Sequence, residues 1–558
     1  MSDLILRKTS FLSLFCIVLS LITLSGCKNK TPETESSSPA VSENAIYEPA
    51  YGDTFVEGSI GEPSILIPML AGDSASHSVA GMIFNGLVKY DIDLSVKGDL
   101  AESWEVSPDG LVITFHLRKN VRWTDGVEFT ADDVMFGYKT IIDEKTPTPY
   151  KEDFLQVKKA EVLDKYIFRV TYEKPFAPAL TSWGNLIILP KHLLEGKDIT
   201  KVDFARSPIG MGQYKFNRWT SGQDVRLTSN EDYFEGRPYI DQYIYKIIPD
   251  PATMFLELQS QGVDMMGLTP IQYTKQTETA LFKKNFQKFR YPVFSYTYMG
   301  FNLKFPLFSD VRVRKAIAYA VDKKELVDVV LLGLGKPATG PYVPETWPYN
   351  PDVTKYEYNK DKALSLLKDA GWSDSDSDGI LDKDGKPFEF TILSNMGNQQ
   401  RMNAATIIQQ KLKKIGIRVE IRAVEWSTFI NEFIDKRRFQ AVILGWSIGI
   451  DPDQYDIWHS SKTGEKEFNF VSYSNPEVDA LLEKGRRTFD IEERKKSYFR
   501  IQDILADEVP YLFLYVPEAT PIVHSRFKGI KPTPIGISYN FNKWFVPQKL
   551  QRHSSIQQ

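Results

Sequence analysis

At 558 residues the chain is too long for one hydrophobic core, so two or more domains are expected. Aromatic and charged contents of 13% and 25% are those of an ordinary globular protein. The formal net charge of -4 offers no basic field to draw a phosphate backbone, which argues against nucleic acid as a partner.

Arg7 and Lys8 precede an apolar stretch from Phe11 to Leu24 that is short and closely followed by small residues, so it reads as a secretory signal rather than a spanning helix. The stretch ends Leu24-Ser25-Gly26-Cys27, which resembles the lipobox of bacterial lipoproteins. That resemblance implies a signal peptide over 1–26, cleavage before Cys27 and acylation (palmitate) of its thiol; a non-lipidated signal or a core helix is the plainer reading. Cys16 would leave with the signal, so the mature chain has no second thiol and forms no internal disulfide. Residues 27–47 are polar with little to drive burial, and read as a flexible tether. No later segment approaches the roughly eighteen apolar residues of a spanning helix. The body is therefore expected in the cell envelope, facing the periplasm or the exterior and held by its lipid alone.

Thr54 to Gly58 alternates as a strand, Glu62-Pro63-Ser64 turns the chain, and Ser78 to Phe84 has helical spacing. Leu111 to Leu117 and Ala160 to Tyr172 are β signals, separated by a helix that Thr130 caps and Asp132 and Asp133 favour through its dipole. Phe388 to Leu393 is a strand, and Arg401 to Ile415 a helix with Ile407, Ile408 and Leu412 on one face, closed by Gly416. Ile417 to Ile421 alternates as a strand, Thr428 to Lys436 is helical, and Ala441 to Leu444 is a buried strand ending at Gly445. Strands and helices alternating at these lengths predict parallel pairing, and ligands of such sheets meet the carboxyl ends of strands, where Gly445-Trp446-Ser447 falls. Asp490 with Glu493 predicts a capping box for a helix through Asp507, and Tyr511 to Val516 a further strand.

Several patterns hint at chemistry. Gly445-Trp446-Ser447-Ile448-Gly449 fits G-x-S-x-G after a strand, and Asp479 and His524 follow in the order of a serine hydrolase. Pro452, however, would break the helix that a nucleophile elbow requires, so catalysis is not expected. Asp374, Asp376, Asp378 and Asp382 copy the first half of a calcium loop, but position twelve is Gly385 instead of glutamate; a weaker structural calcium site is set against an acidic surface hairpin. None of the six histidines has zinc-site spacing, and Gly333-Leu334-Gly335-Lys336 runs into Pro337 rather than completing a phosphate loop.

Leu100-Ala101-Glu102-Ser103-Trp104, Phe115-His116-Leu117-Arg118, Val121-Arg122-Trp123-Thr124-Asp125-Gly126 and Phe129-Thr130-Ala131-Asp132-Asp133-Val134 resemble the signature region of the family 5 extracellular solute-binding proteins. The likeness continues through Pro208 to Tyr214, Phe301-Asn302, Asp310 to Ile317 and Gly445-Trp446. It implies an α/β, two-lobed periplasmic-binding-protein-like fold of class II type. Lobe I would comprise 48–91, 208–296 and 517–558, with an extra domain at 92–207, and lobe II 297–516. It also implies the role of such proteins: substrate-binding component of an ABC importer, a monomer that closes on a solute and hands it to the permease subunits in the membrane.

Oligopeptides are the expected solute, bound largely through main-chain hydrogen bonds. Positions matching ligand contacts in the family are the backbone of Gly445, Trp446 and Ser447 and the side chain of Trp426, with Tyr150 and Tyr515 as looser matches; for these aromatics ordinary core packing is the alternative. One departure stands out. Peptide-binding members carry an aspartate three residues after the tryptophan that pairs with the peptide's amino terminus, and here Gly449 stands there. Asp451 or Asp453 is the expected substitute; otherwise the solute is something else, such as a nickel chelate or an oligosaccharide. The remaining alternatives are a secreted serine hydrolase and a purely structural surface lipoprotein.

Overall fold

The computed structural model describes residues 47–552, so the expected signal, the Cys27 lipidation site and residues 27–46 of the tether lie outside the described residues. The compact unit that begins at Glu48 is built on two seven-stranded sheets. In the first, Thr54–Ser59 lies at the centre, parallel to Gln242–Ile247 and Met265–Gly267, with Pro521–His524 and Phe286–Lys288 completing one side and Asp224–Ser229 and Tyr214–Thr220 the other. Buried Arg526 ties this sheet together by donating to Asp53, at 3.2 Å, and to Asp264. Satisfying that guanidinium with two carboxylates is what makes its burial tolerable.

The second sheet runs Tyr511–Ala519, Ser295–Phe301, Ala441–Ser447, Glu389–Asn395, Arg418–Val424 in space. As the alternation of strands and helices implies, Glu389–Asn395 is parallel to both Arg418–Val424 and Ala441–Ser447. The apolar run of Ala441–Ser447 is continuous because both of its faces are covered: Ala441 and Ile443 enter one core, Val442 and Leu444 another. The strand does not end at Gly445, contrary to expectation. It continues to Ser447, because Ser295–Phe301 pairs antiparallel along its whole length, Thr297 opposite Gly445 and Ser295 opposite Ser447.

A third, four-stranded sheet covers Ala101–Val106, Val112–Leu117, Ile167–Tyr172 and Val157–Asp164. The single β signal at 160–172 is thus a hairpin, turning between Asp164 and Ile167. The intervening helix, Ala131–Ile142, starts after Thr130, whose N–H donates to Asp133 at 2.9 Å. At Ile491–Glu508, Asp490 caps as expected, but Glu493 does not complete the box; its carboxylate pairs with Lys496 at 2.5 Å instead.

The chain crosses between the two large sheets at 289–290 and at Thr520, since Phe286–Lys288 and Pro521–His524 belong to the first while Tyr291–Pro292, Ser295–Phe301 and Tyr511–Ala519 belong to the second. The expected boundaries at 297 and 516 therefore fall inside strands, which run on to the crossings. Arg290, on the first crossing, forms an ion pair with Glu518, two residues before the second.

Candidate functional site

Strands of the second sheet and loops and helices from 68–78, 149–154 and 178–187 line a cavity of ≈ 1000 Å³, and Gly445, Trp446, Ser447, Trp426, Tyr150, Tyr515 and Asp451 all stand in its wall. The backbone at Gly445 and Ser447 is the first element. Glu389–Asn395 pairs with Ala441–Ser447 only as far as Leu393 opposite Val442, after which Ser394 Oγ donates to the Ile443 carbonyl at 3.0 Å. On the other edge, Ile448 N–H donates to the Phe294 carbonyl at 2.8 Å. Because successive residues of a strand turn their N–H and C=O to opposite edges, Gly445 and Ser447 present theirs on the side of Ile443, beyond the last paired residue of Glu389–Asn395. That edge opens into the cavity.

The aromatics surround it. Trp446 stacks on Phe470 at 5.7 Å, meets Phe468 edge-on at 5.2 Å and donates from Nε1 to the Tyr511 hydroxyl at 3.3 Å. Trp426 donates from Nε1 to Asp73 at 3.4 Å, a contact between parts of the chain that belong to different sheets. Tyr150 donates its hydroxyl to the Ala71 carbonyl at 2.8 Å, and burial raises its pKa. Tyr515 is only 1% exposed, and its hydroxyl lies beside the Thr297 side chain. Burial pushes that hydroxyl up to about 12, and the neighbouring Arg401 guanidinium works in the opposite direction.

Neither expected substitute for the aspartate missing at Gly449 is free. Both oxygens of Asp451 accept from Arg494, at 2.6 and 3.1 Å, and Asp453 is 2.8 Å from Arg486 Nε. Burial pushes the Asp453 carboxyl up to about 6, against the pull of Arg486 beside it. The pairs belong to a wider wall in which Arg486 also holds Asp153, and Lys462 sits among Glu152, Asp456 and Glu467 at 3.3 to 3.7 Å. Six carboxylates thus face three cations, an acidic lining that sequence spacing could not reveal because its members come from 152–153, 451–467 and 486–494.

Two further residues of the cavity wall were not anticipated. Asp435 follows the helical turn Phe429–Ile434, and among the described residues no hydrogen bond or ion pair engages its carboxylate; burial pushes it up to about 6. Arg401, in the first turn of Gln399–Lys413, reaches in from under Gly445.

The hydrolase constellation is not assembled. Asp479 accepts from Ser460 N–H and Oγ at 2.9 and 2.5 Å, while His524 Nδ1 accepts from Arg526 N–H at 3.1 Å in the first sheet; Ser447 is exposed in the second. Asp374, Asp376 and Asp382 bring carboxylate oxygens within 4.8 Å of one another on the surface, without Asp378. Among the described residues no helix is long and apolar enough to cross a membrane.

Residues 95–468 match the middle region of bacterial extracellular solute-binding proteins, family 5. The chain is 36% identical to the oligopeptide-binding protein AppA of Bacillus subtilis over 97% of this chain and 99% of that one. The structure of AppA in complex with a nonapeptide superposes with a TM-score of 0.85, covering 89% of this chain and 100% of AppA. NikZ from Campylobacter jejuni, solved in complex with Ni(L-His), is 30% identical with a TM-score of 0.81, covering 88% and 99%.

Proposed function

Because the chain belongs to the bacterial extracellular solute-binding proteins, family 5, we propose that it is the substrate-binding component of an ABC importer, capturing oligopeptides between its two lobes and delivering them to a membrane permease. The observation that carries the peptide reading is the unpaired edge at Gly445 and Ser447, opening into a cavity of ≈ 1000 Å³. A strand edge offers alternating donors and acceptors that an extended peptide backbone satisfies whatever its side chains. The acidic lining favours a ligand with a free ammonium group, and the bound peptide in AppA is consistent with a cleft of this kind.

On this reading the lobes move about the crossings at 289–290 and Thr520, the protein works as a monomer, and Cys27 carries the lipid that tethers it. Binding without catalysis is part of the same proposal, and a fluorophosphonate probe that labels Ser447 would overturn it. A separate proposal concerns the 374–382 loop, whose three clustered carboxylates would take a calcium ion; calorimetric titration with calcium chloride checks it.

Native mass spectrometry of protein purified without denaturation tests the central claim. Peptide masses are expected in the complex; a cleft filled only by a sugar or a metal chelate sinks the peptide reading and keeps the importer role.

A further inference from the structure

The acidic wall lies where two separately packed parts of the chain meet. Phe154 and Trp183 share one hydrophobic core with Phe55 of the first sheet, whereas Tyr455, Ile457 and Leu482 pack in a core of the second. The joint between them is mostly polar. Arg486 holds Asp153, and its carbonyl accepts from Ala177 N–H at 2.9 Å; Arg487 donates to Gln156 Oε1 at 2.6 Å, and Tyr150 meets Phe468 edge-on at 5.4 Å. A polar joint between two cores parts at less cost than a core that must be torn.

Cations are scarce in this joint. The Lys462 ammonium, 3% exposed, serves three carboxylates, standing 3.3 Å from Asp456 Oδ1, 3.5 Å from Glu467 Oε2 and 3.7 Å from Glu152 Oε2. A charge-assisted hydrogen bond settles near about 2.8 Å, so one ammonium is stretched among three acceptors. Arg486 is divided in the same way between Asp153 and Asp453. Of the flanking cations, Lys151 draws on Glu467 and Arg487 is taken by Gln156, while Arg494 is matched to Asp451. Tyr150, beside Asp456, has its pKa raised by burial and stays neutral. Glu152 and Asp153 arrive from the far side of the joint. Closing it therefore adds two negative charges to a wall that already carries Asp453, Asp456 and Glu467.

We infer that closure of the cleft is linked to proton uptake: bringing Glu152 and Asp153 against Asp453, Asp456 and Glu467 makes the joint hold protons more tightly, so mild acid closes the lobes. The inference rests on the two-lobed reading of the cleft, and it concerns the motion of the lobes rather than the solute. Burial supplies the direction. It pushes Asp456 up to about 7; Lys462 and Arg486 pull against it, while Asp153 and Asp453 push with it. Asp453, at about 6, and Glu467 are raised by burial too. With the joint open these groups are hydrated and return toward the ordinary range, near 3.8 for aspartate. A pKa higher in the closed form than in the open one stabilises the closed form as pH falls from about 7 toward 4.

The test is small-angle scattering of the full mature protein without ligand, at pH 8 and pH 5.5. The ratio of closed to open wild type is expected to rise about tenfold across this interval. Asp456→Asn, which copies the protonated carboxyl, should be compact already at pH 8 and lose most of the response; Glu467→Gln should act in the same direction, and either variant serves if the other fails to fold. Asp435→Asn, whose carboxylate lies elsewhere in the cleft, should respond as wild type does. A wild type equally compact at both pH values, a full response in Asp456→Asn and Glu467→Gln, or loss of the response in Asp435→Asn overturns the inference. A random-sequence synthetic peptide pool added at pH 8 separates this from the peptide reading. Compaction by peptides but not by acid removes the proton link and keeps the binder; compaction by acid but not by peptides does the reverse.

Discussion

Arg494 grips Asp451 through both carboxylate oxygens, at 2.6 and 3.1 Å, in a wall where the two side chains are 8% and 17% exposed. A bidentate pair in that setting is a structural clamp on the 448–454 loop, and the Asp451 charge is already compensated by Arg494. Asp451→Asn should therefore lower unfolding free energy by about 3 kcal/mol, because Arg494 is left buried without its counter-charge. Urea denaturation measures this. Ligand preference should stay as in wild type, and a variant of normal stability with altered peptide selection would show that Asp451 is a ligand contact after all.

Asp435 predicts a pH response of opposite sign to that of a salt-bridged carboxylate. Burial holds its folded pKa at about 6; Lys466 and Arg437 pull it down, while Glu465 and Asp73 push it up. The folded value lies above the unfolded one near 3.8, so the fold takes up the proton more readily and gains stability as pH falls from about 6 toward 4. Asp435→Asn should be more stable than wild type at pH 7, by on the order of 1–2 kcal/mol, and should lose this share of the acid gain. Denaturation of both proteins at pH 5 and pH 7 decides it, and an identical pH response in the two would remove Asp435 from the account. In the cleft the same ionised carboxylate, having no partner, is available to a ligand cation.

The contrast between Asp451 and Asp435 shows what the chain of letters could and could not tell. Gly445, Trp446 and Ser447 were legible as a strand end beside a cleft because an apolar run followed by glycine is a local signal. That the strand runs on to Ser447, and that its free edge begins only after Val442, depends on where two neighbouring strands start and stop. Asp451 and Asp453 looked like substitutes for the missing aspartate by proximity in sequence alone; their arginines lie 43 and 33 residues downstream. Asp435 and Arg401 carried no motif at all. The interest of Asp435 lies in the partners it lacks, and a lack of partners is a property of three-dimensional packing that no spacing encodes.

Gly445 has a role that a single methyl group tests. A Cβ there would approach Arg401 Nη2 to 2.9 Å and the Tyr296 carbonyl to 3.1 Å, both closer than side-chain atoms normally come. Gly445→Ala should thus push the guanidinium aside at a stability cost of about 1 kcal/mol. The larger consequence falls on binding, since Gly445 belongs to the strand edge on which the peptide is proposed to dock. Peptide affinity, measured by calorimetry, should fall about tenfold or more. An alanine variant that binds as wild type would mean that ligands do not approach the strand at Gly445.

Arg486 links the lobes at the mouth of the acidic wall. It holds Asp453, 2.8 Å away on the second-sheet side, and Asp153 from the neighbourhood of the third sheet, and its backbone carbonyl accepts from Ala177 N–H at 2.9 Å. Without the guanidinium, two half-buried carboxylates would confront each other, and separating the lobes is the motion that relieves them. Arg486→Gln should therefore shift the ligand-free protein toward an open form. Since affinity scales with the population of the closed, competent state, peptide binding should weaken by about tenfold if closure becomes a minor state. Small-angle scattering reads the opening directly, and Trp426, whose indole meets Asp73 across the cleft, reports it by fluorescence. Adding Asp153→Asn to Arg486→Gln removes one of the two repelling charges, so the double variant should recover part of both the compaction and the affinity. If the double variant is no more compact than Arg486→Gln alone, the repulsion is not what opens the lobes, and Arg486 acts through its backbone contact with Ala177 instead.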